Sequence, residues 1–342
     1  MAISQLTLED FTVFERAELP LVTGVNVFIG ANGTGKSHAM KAAYAALMAC
    51  ASGQVSAAAL DGELAEVFRP LDAKVGRLAR RRSGRGGNNR GRVSIRLDSG
   101  AECTFTLHSK GSPDMVRLER APKGPVPSAT FVPPHEMLAM FEGFIASYES
   151  RELSFDKTYR DLALALSATK LRAVDPSLQA PLASLRGQSG EVVLESGRFF
   201  LKSGGAKLEA PLEAEGLRKI GTLVRLIETG AVRPGSVLFW DEPEANLNPK
   251  LSAAVVDSIV ALARSAQIVL ATHDYLVARR LSLISQSGTA DTPIRFFSFA
   301  RPGKNKPAVV KVAANLADLE DDVLTDAFMD QMNYEYSLAP RR

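Results

Sequence analysis

Residues 30–37 carry the spacing of a phosphate-binding loop. They read Gly-Ala-Asn-Gly-Thr-Gly-Lys-Ser and match the pattern G-x-x-x-x-G-K-S/T at each fixed position. Glycines let the backbone curl so that successive N–H groups face phosphate oxygens, the lysine reaches the β- and γ-phosphates, and the serine hydroxyl binds Mg²⁺. The pattern predicts a site for ATP and Mg²⁺ with nine contacting residues: Gly30, Ala31, Asn32, Gly33, Thr34, Gly35, Lys36, Ser37 and His38.

Two adjacent carboxylates end a bulky apolar run at residues 237–240. The run is typical of a strand buried on both faces, and ligands bind at the carboxyl ends of such strands. We predict that Asp241 joins Ser37 in the Mg²⁺ shell and that Glu242 is the general base that polarises the attacking water.

A histidine follows the next apolar strand along the chain. Residues 268–271 are apolar and lead to Thr272 and His273. If the two strands are neighbours, His273 lies beside the γ-phosphate, where a neutral imidazole can hydrogen-bond a phosphate oxygen or the water. His273 is therefore predicted as a second catalytic residue.

The elements around these motifs alternate in type. An apolar strand at 25–29 leads into the loop and a helix at 37–49 follows it, while hairpins are predicted at 93–107 and 192–201. Further strands are predicted at 3–8, 130–132, 236–241, 267–271 and 294–299, and helices at about 136–169, 214–228, 249–264 and 275–285. Alternating strands and helices predict an α/β fold with parallel pairing.

Composition excludes several classes of protein. The 342 residues are 46% apolar, no apolar run is long enough to span a membrane, and two cysteines cannot form a disulfide framework. No Cys/His cluster has zinc-ligand spacing, and the first residues lack the layout of a secretory signal. We expect a cytoplasmic protein without a membrane partner.

The positive charge is concentrated in one segment. Residues 73–97 contain nine basic side chains and no acidic one, so the rest of the chain is net negative although the total is +3. Residues 76–91 are rich in Arg, Gly and Asn and are predicted to form a loop. The segment from Arg77 to Arg92 could contact nucleic-acid phosphates or be a solvated loop.

Together these motifs resemble the ABC-type ATPase head, a P-loop NTPase. The similarity is greatest to the group that contains the SMC and RecF heads, the overcoming-lysogenization-defect proteins and the AAA ATPases of phage-defence operons. It rests on the P-loop, a Glu-Gly-x-Arg-Lys stretch at 215–219, Asp-Glu-Pro-Glu-Ala-Asn-Leu at 241–247, Thr272–His273, and an opening strand at 6–14. The resemblance implies a mixed sheet core with a β-hairpin region and an inserted helical lobe.

The resemblance also implies a homodimer in which two subunits enclose two ATP molecules. The signature helix of one subunit completes the site of the other, and the residues so implicated are Glu215, Gly216, Arg218, Lys219 and Asn246. Ala214 stands where the family has a serine, a departure that bears on hydrolysis rate more than on binding. Residues 133–136 or Gln54 could occupy the place of the glutamine loop.

The resemblance divides the chain into three parts. Residues 1–135 would form the N-terminal part of the ATPase core, with the P-loop, the hairpins and the Arg-rich loop at 76–92. Residues 136–210 would form the inserted lobe, and residues 211–342 the C-terminal part with the signature helix, the Asp-Glu strand end and His273.

Three functions remain open at this stage. The first is an ATPase that dimerises on ATP, builds larger assemblies in some cases, and regulates a separately encoded nuclease or toxin in anti-phage defence. The second is a RecF- or SMC-like DNA-binding ATPase in DNA repair. The third is the ATPase subunit of a membrane transporter, which is disfavoured because the Leu-Ser-Gly-Gly-Gln signature is absent.

Overall fold

The structure is a computed structural model that describes residues 1–51, 53, 55–81, 88–110, 115–150, 152–288, 291–303, 305–319, 329–334 and 337. The strands are β1 (Ile3–Phe11), β2 (Phe14–Pro20), β3 (Val25–Ile29), β4 (Arg90–Leu97), β5 (Glu102–His108), β6 (Val116–Arg120), β7 (Ala129–Val132), β8 (Glu191–Glu195), β9 (Arg198–Ser203), β10 (Ala206–Glu209), β11 (Val237–Asp241), β12 (Gln267–Thr272), β13 (Ile294–Ala300) and β14 (Val309–Ala313). The helices are α1 (Lys36–Cys50), α2 (Ala57–Phe68), α3 (Phe144–Glu149), α4 (Lys157–Ser167), α5 (Pro176–Ser189), α6 (Glu215–Glu228), α7 (Pro249–Leu262) and α8 (Tyr275–Ser287).

A six-stranded mixed sheet forms the centre of the molecule. Its order is β14-β13-β3-β12-β11-β7, and every pair is parallel except β13–β14. Parallel pairing brings the carboxyl ends of β3, β11 and β12 to one edge of the sheet. The predicted α/β fold class and the parallel pairing are confirmed.

The central strands are apolar throughout because both faces of the sheet are covered. Successive side chains of a strand point to opposite faces. Accordingly Val25 and Val27 of β3 lie in one hydrophobic core, whereas Phe28 lies in the other. Leu238 and Phe239 of β11 divide in the same way.

Each face of this sheet is covered by a different layer. Helix α1 packs between the central sheet and a five-stranded antiparallel sheet of order β2-β1-β4-β5-β6. Helices α4 to α8 cover the opposite face, together with a three-stranded antiparallel sheet of order β10-β9-β8. Both predicted hairpins, β4–β5 and β8–β9, are confirmed.

The lobe between β7 and α6 differs from its prediction. The region at about 136–169, predicted to be mainly helical, contains the short helix α3 and then α4, with non-helical segments before and between them. Helix α5 was not predicted: it begins with a proline after the capping side chain of Asp175, and Pro181 lies inside it. Proline at the first helical position is compatible with a helix. A proline inside a helix removes a backbone hydrogen bond, and it makes the helix harder to recognise from the sequence. The division of the chain at 135 and 210 stays a prediction.

The basic segment is only partly a loop. Residues 75–78 form a short 3-10 turn and β4 already begins at Arg90. Residues 82–87 lie outside the described residues, as does Gln54. Within the described chain, no helix has both the length and the apolar character needed to cross a lipid bilayer.

Candidate nucleotide-binding site

The loop between β3 and α1 has the backbone of an anion cradle. Gly30, Gly33 and Gly35 all have positive φ angles, of 142°, 77° and 103°. No side chain caps the amino end of α1, so its first N–H groups remain available to a ligand. At Gly35 a β-carbon would lie 2.5 Å from Phe14 and 2.6 Å from Val13, so the loop also requires glycine for space.

The ammonium group of Lys36 lies inside this curl. It donates to the carbonyl oxygens of Gly30 at 2.6 Å and Ala31 at 3.0 Å, and the residue is 6% exposed. Burial lowers the pKa of Lys36, while the nearby carboxylates of Asp241 and Glu242 oppose that shift. A buried cation that donates to loop carbonyls is suited to exchange them for an anionic phosphate.

Ser37 and Asp241 meet where the loop joins the end of β11. The Ser37 side chain hydrogen-bonds Asp241, which is 5% exposed. Burial raises the pKa of Asp241, and the Ser37 hydrogen bond moves it in the opposite direction. A hydroxyl and a carboxylate fit Mg²⁺, which takes few protein ligands and completes its shell with phosphate and water. Consistent with this, the described residues contain no cluster of three or more Asp, Glu, His or Cys side chains that could hold a metal by itself.

Glu242 and His273 come together because β11 and β12 are parallel neighbours. The Nδ1 atom of His273 lies 3.2 Å from Oε1 of Glu242, and the two side chains are 46% and 28% exposed. Glu242 has a φ of 51°, and its N–H donates to the carbonyl of Ala271 at 2.8 Å. A non-glycine residue in this conformation is rare and recurs at functional sites.

Glu244 is a further carboxyl at this edge that the sequence argument left without a role. It is 6% exposed, and its Oε1 atom accepts hydrogen bonds from the Thr272 hydroxyl at 2.6 Å and from the His273 N–H at 3.3 Å. Burial raises its pKa. The sequence did contain one indication of a role for Glu244. It is an acidic side chain two residues after Glu242, in a turn that must lead the chain back toward the sheet.

Other predicted nucleotide contacts divide into two groups. Ala31, Asn32 and Gly33 are exposed at the tip of the loop, whereas the Thr34 hydroxyl donates to the Ala31 carbonyl at 2.8 Å. His38 is exposed on α1, and its ring packs edge-on against Phe68 at 5.7 Å.

Comparisons with known proteins support the fold. Residues 127–279 match a family model described as "AAA domain, putative AbiEii toxin, Type IV TA system". The chain superposes on the SMC head domain from Thermotoga maritima with a TM-score of 0.53 and 14% identity, over 92% of this chain and 99% of that one. A Smc head domain bound to the C-terminal domain of ScpA derived from Pyrococcus furiosus gives 0.55 and 13%, over 97% and 99%.

The chain has the mixed α/β fold of these SMC head domains. A segment of 42 residues is 50% identical to the DNA replication and repair protein RecF of Renibacterium salmoninarum. The segment is 12% of this chain and spans only 11% of that RecF protein.

Helix α6 carries the residues that the sequence analysis predicts for the signature helix. Its amino end has no side-chain cap. Asn246 donates to Glu215 at 2.9 Å on the surface, which joins the start of α6 to the turn after β11. A β-carbon on Gly216 would lie 2.8 Å from both Leu247 and Leu251, so this glycine permits close packing within the subunit.

Arg218 and Lys219, which were predicted to lie at the dimer interface, make contacts within their own chain. Arg218 forms a 2.8 Å ion pair with Glu136, and their side chains are 14% and 4% exposed. Lys219 is 4% exposed and donates to the carbonyls of Ala245 at 2.7 Å and Glu242 at 3.3 Å. Burial lowers the pKa of Lys219. These two side chains connect α6 to the turns that follow β7 and β11.

Residues 133–136 follow β7, the neighbour of β11 in the central sheet. Glu136 is 9% exposed and accepts a hydrogen bond from the Ala139 N–H at 3.0 Å. With its Arg218 ion pair, it ties this turn to the signature helix. The turn therefore lies where a glutamine-loop equivalent was expected, and that role stays a prediction.

Several basic side chains of the antiparallel sheet, and Arg80 before it, lie beside acids from other segments. Arg90 and Arg92 pair with Glu119 at 2.5 Å and 3.0 Å. Arg120 pairs with Glu102 at 2.9 Å, and Arg80 with Glu15 at 3.2 Å. Much of the positive charge that is concentrated in this part of the sequence is thus neutralised by nearby acidic side chains.

Proposed function

We propose that this head binds ATP with Mg²⁺ and hydrolyses it to ADP and phosphate. The observation that carries the proposal is the Glu242–His273 pair, 3.2 Å apart, at the sheet edge that also holds the phosphate loop and Asp241. A base and an imidazole beside a triphosphate are the groups that phosphoryl transfer to water uses.

The roles follow from the local chemistry. The N–H groups of the loop and Lys36 neutralise the β- and γ-phosphates, and Ser37 and Asp241 hold Mg²⁺. Mg²⁺, when bound, offsets charge that develops on the phosphate oxygens. Glu242 orients the attacking water and accepts its proton, while His273 hydrogen-bonds the phosphate or that water.

We further propose that two copies close on two nucleotides. The uncapped start of α6 in one copy, with Glu215, Gly216 and Asn246 around it, would approach the γ-phosphate held by the other. Arg218 and Lys219 would then act from within each copy, by holding the helix against its own catalytic edge.

A single substitution tests turnover and closure together. Glu242→Gln should bind ATP and stop hydrolysis, so that a nucleotide-bound dimer accumulates during size-exclusion chromatography with Mg²⁺ and ATP. Glu18→Gln, an exposed carboxylate on β2, is the matched control and should behave as the parent. Parental turnover in Glu242→Gln would show that Glu242 is not the base, and a monomer at all ATP concentrations would exclude the dimer.

The biological role that we propose is ATP-dependent control of a separately encoded nuclease or toxin in anti-phage defence. The match to a model named for an AbiEii toxin supports this role, as does the resemblance to ATPases of defence operons. The need for cellular ATP is consistent with a cytoplasmic location. The test is co-purification with the product of the neighbouring gene: retention that depends on ATP supports the role, and absence of any complex with or without ATP contradicts it.

RecF-like DNA binding is the second candidate, and the RecF match favours it. It predicts affinity for DNA that falls steeply with salt and is reduced by changing Arg77 and Arg81 to Ala. The acids that lie beside Arg80, Arg90 and Arg92 weigh against a large effect. Salt-independent or absent DNA binding would remove this candidate.

A further inference from the structure

The Glu244 side chain accepts hydrogen bonds from the segment that carries His273. Oε1 accepts from the Thr272 hydroxyl at 2.6 Å and the His273 N–H at 3.3 Å, and it lies 3.9 Å from the ring atom Nδ1 of His273. Thr272 is itself fully buried, and its hydroxyl accepts the N–H of Asp274 at 2.9 Å. The Glu244 carboxyl therefore holds the start of the connection between β12 and α8, while Asp274 caps the helix.

The fold does not require a carboxyl at this position. The Glu244 side chain is 4% exposed, and its Oε2 atom is buried without a hydrogen-bond partner among the described residues. A buried carboxyl with an unpaired oxygen costs free energy that an apolar side chain of similar size would avoid. A costly buried group beside a reactive pair indicates a functional role.

We propose that Glu244 is the positioning residue of His273, an inference that rests on the ATPase activity proposed above. Glu244 accepts one hydrogen bond from the His273 N–H and one from the Thr272 hydroxyl and, with Glu242, presents carboxylate oxygens to the Nδ1 side of the ring. The Nε2 atom, on the other side of the ring, is then the nitrogen that meets the phosphate or the attacking water. Glu244 itself touches neither.

In this arrangement the two carboxylates act together on the same imidazole ring. Glu242 and Glu244 belong to the same turn after β11, and both approach one nitrogen of a residue on the neighbouring strand. The ring of His273 consequently keeps a fixed distance to Glu242. Loss of Glu244 leaves Glu242 in place and releases the imidazole.

The experiment is a double-mutant cycle of Glu244→Ala and His273→Ala. His273→Ala should lower kcat about 100-fold and Glu244→Ala about 10-fold, with the Kd for a fluorescent ATP analogue changed less than threefold. Because Glu244 acts through His273, the double variant should be within threefold of His273→Ala. Asp257→Asn, an exposed acid-to-amide change on α7, is the matched control and should keep the parental kcat.

Two further variants keep the experiment interpretable if Glu244→Ala does not fold. Glu244→Met keeps the volume and removes both oxygens, so it replaces Glu244→Ala in the cycle if the alanine variant unfolds. Glu244→Gln retains an oxygen acceptor for Thr272 and His273, so its kcat should lie between those of the parent and Glu244→Ala. Multiplicative losses in the double variant, or an unchanged kcat in Glu244→Ala and Glu244→Met, would overturn the proposal.

A second readout does not need turnover. The chain has four histidines, so the ring resonances of His273 can be assigned by comparing NMR spectra of the parent and His273→Ala. Glu244→Ala should shift the His273 ring resonances and leave those of the other three histidines in place. If the parent hydrolyses no ATP but this shift occurs, the proposed activity fails and the positioning role stands; an unshifted His273 ring contradicts the role itself.

Discussion

The ammonium group of Lys219 donates to the carbonyl oxygen of Ala245 at 2.7 Å, across the gap between α6 and the turn after β11. It also reaches the carbonyl of Glu242 at 3.3 Å, and Glu242 has a φ of 51°. A buried cation thus holds the backbone of the proposed base in an unusual conformation. Helix α6 and the turn that carries Glu242 are in this way connected within the chain.

Lys219→Met tests that connection. Methionine fills similar space without the buried charge, so the fold should persist with an unchanged or higher Tm. The turn should lose its anchor and kcat should fall by roughly 10-fold, since a small displacement of a catalytic group costs that much or more. Unchanged kcat would show that the turn holds its conformation without Lys219. Lys202→Met, an exposed lysine on β9, is the control.

Gly35 and Gly33 form a natural matched pair. Both have positive φ, so alanine at either costs about 1 kcal/mol of backbone strain. A β-carbon at Gly35 would also overlap Phe14 and Val13, whereas at Gly33 it meets nothing within 4 Å. Urea unfolding should show a loss of about 2–4 kcal/mol for Gly35→Ala and about 1 kcal/mol for Gly33→Ala. Equal losses would mean that the loop relaxes away from Phe14.

Lys36→Ala should abolish detectable ATP binding. The substitution removes the cation that the loop holds for the phosphates, and a charged hydrogen bond to phosphate is among the stronger contacts in such sites. Titration with a fluorescent ATP analogue measures the effect. Lys74→Ala, an exposed lysine outside the loop, should bind as the parent. Parental affinity in Lys36→Ala would refute the assignment of this loop.

Asp241→Asn should separate stability from activity. Burial raises the pKa of Asp241, so the native state takes up a proton at this site more readily than the unfolded chain, and the free energy of unfolding decreases as pH rises through the raised pKa. Asparagine cannot ionise and should raise Tm at neutral pH by roughly 2–4 °C while Mg²⁺-dependent turnover is lost. The pH-dependent decrease should also become smaller. If Asp241→Asn has a lower Tm than the parent across the pH range, the attraction between the Asp241 carboxylate and nearby cations exceeds the cost of burying that carboxylate.

The sequence predicted the core more accurately than the lobe, for physical reasons. The strands β3, β11 and β12 are buried on both faces and read as continuous apolar runs, and the P-loop spacing fixes the turn between β3 and α1. Helix α5 was hidden by its two prolines. The helix α2 was also missed, because its alanines and single buried face give a weak pattern.

Contacts between distant segments could not be inferred from spacing. Residues 73–97 contain no acid, yet Glu119 lies against Arg90 and Arg92 because β6, β5 and β4 are successive neighbours in one sheet. Glu244 was overlooked for the same reason, since its partners are on the strand beside it. The inward position of Lys219 likewise depends on how α6 packs, which its own sequence does not specify.

The position of β3 in the central sheet has a consequence for synthesis. This strand lies between β12 and β13, which begin at Gln267 and Ile294. A nascent chain therefore exposes its phosphate loop long before either flanking strand has been translated. At about 5–20 residues per second, the ribosome needs tens of seconds to supply them. The central sheet around the phosphate loop is therefore complete only after both flanking strands have been synthesised.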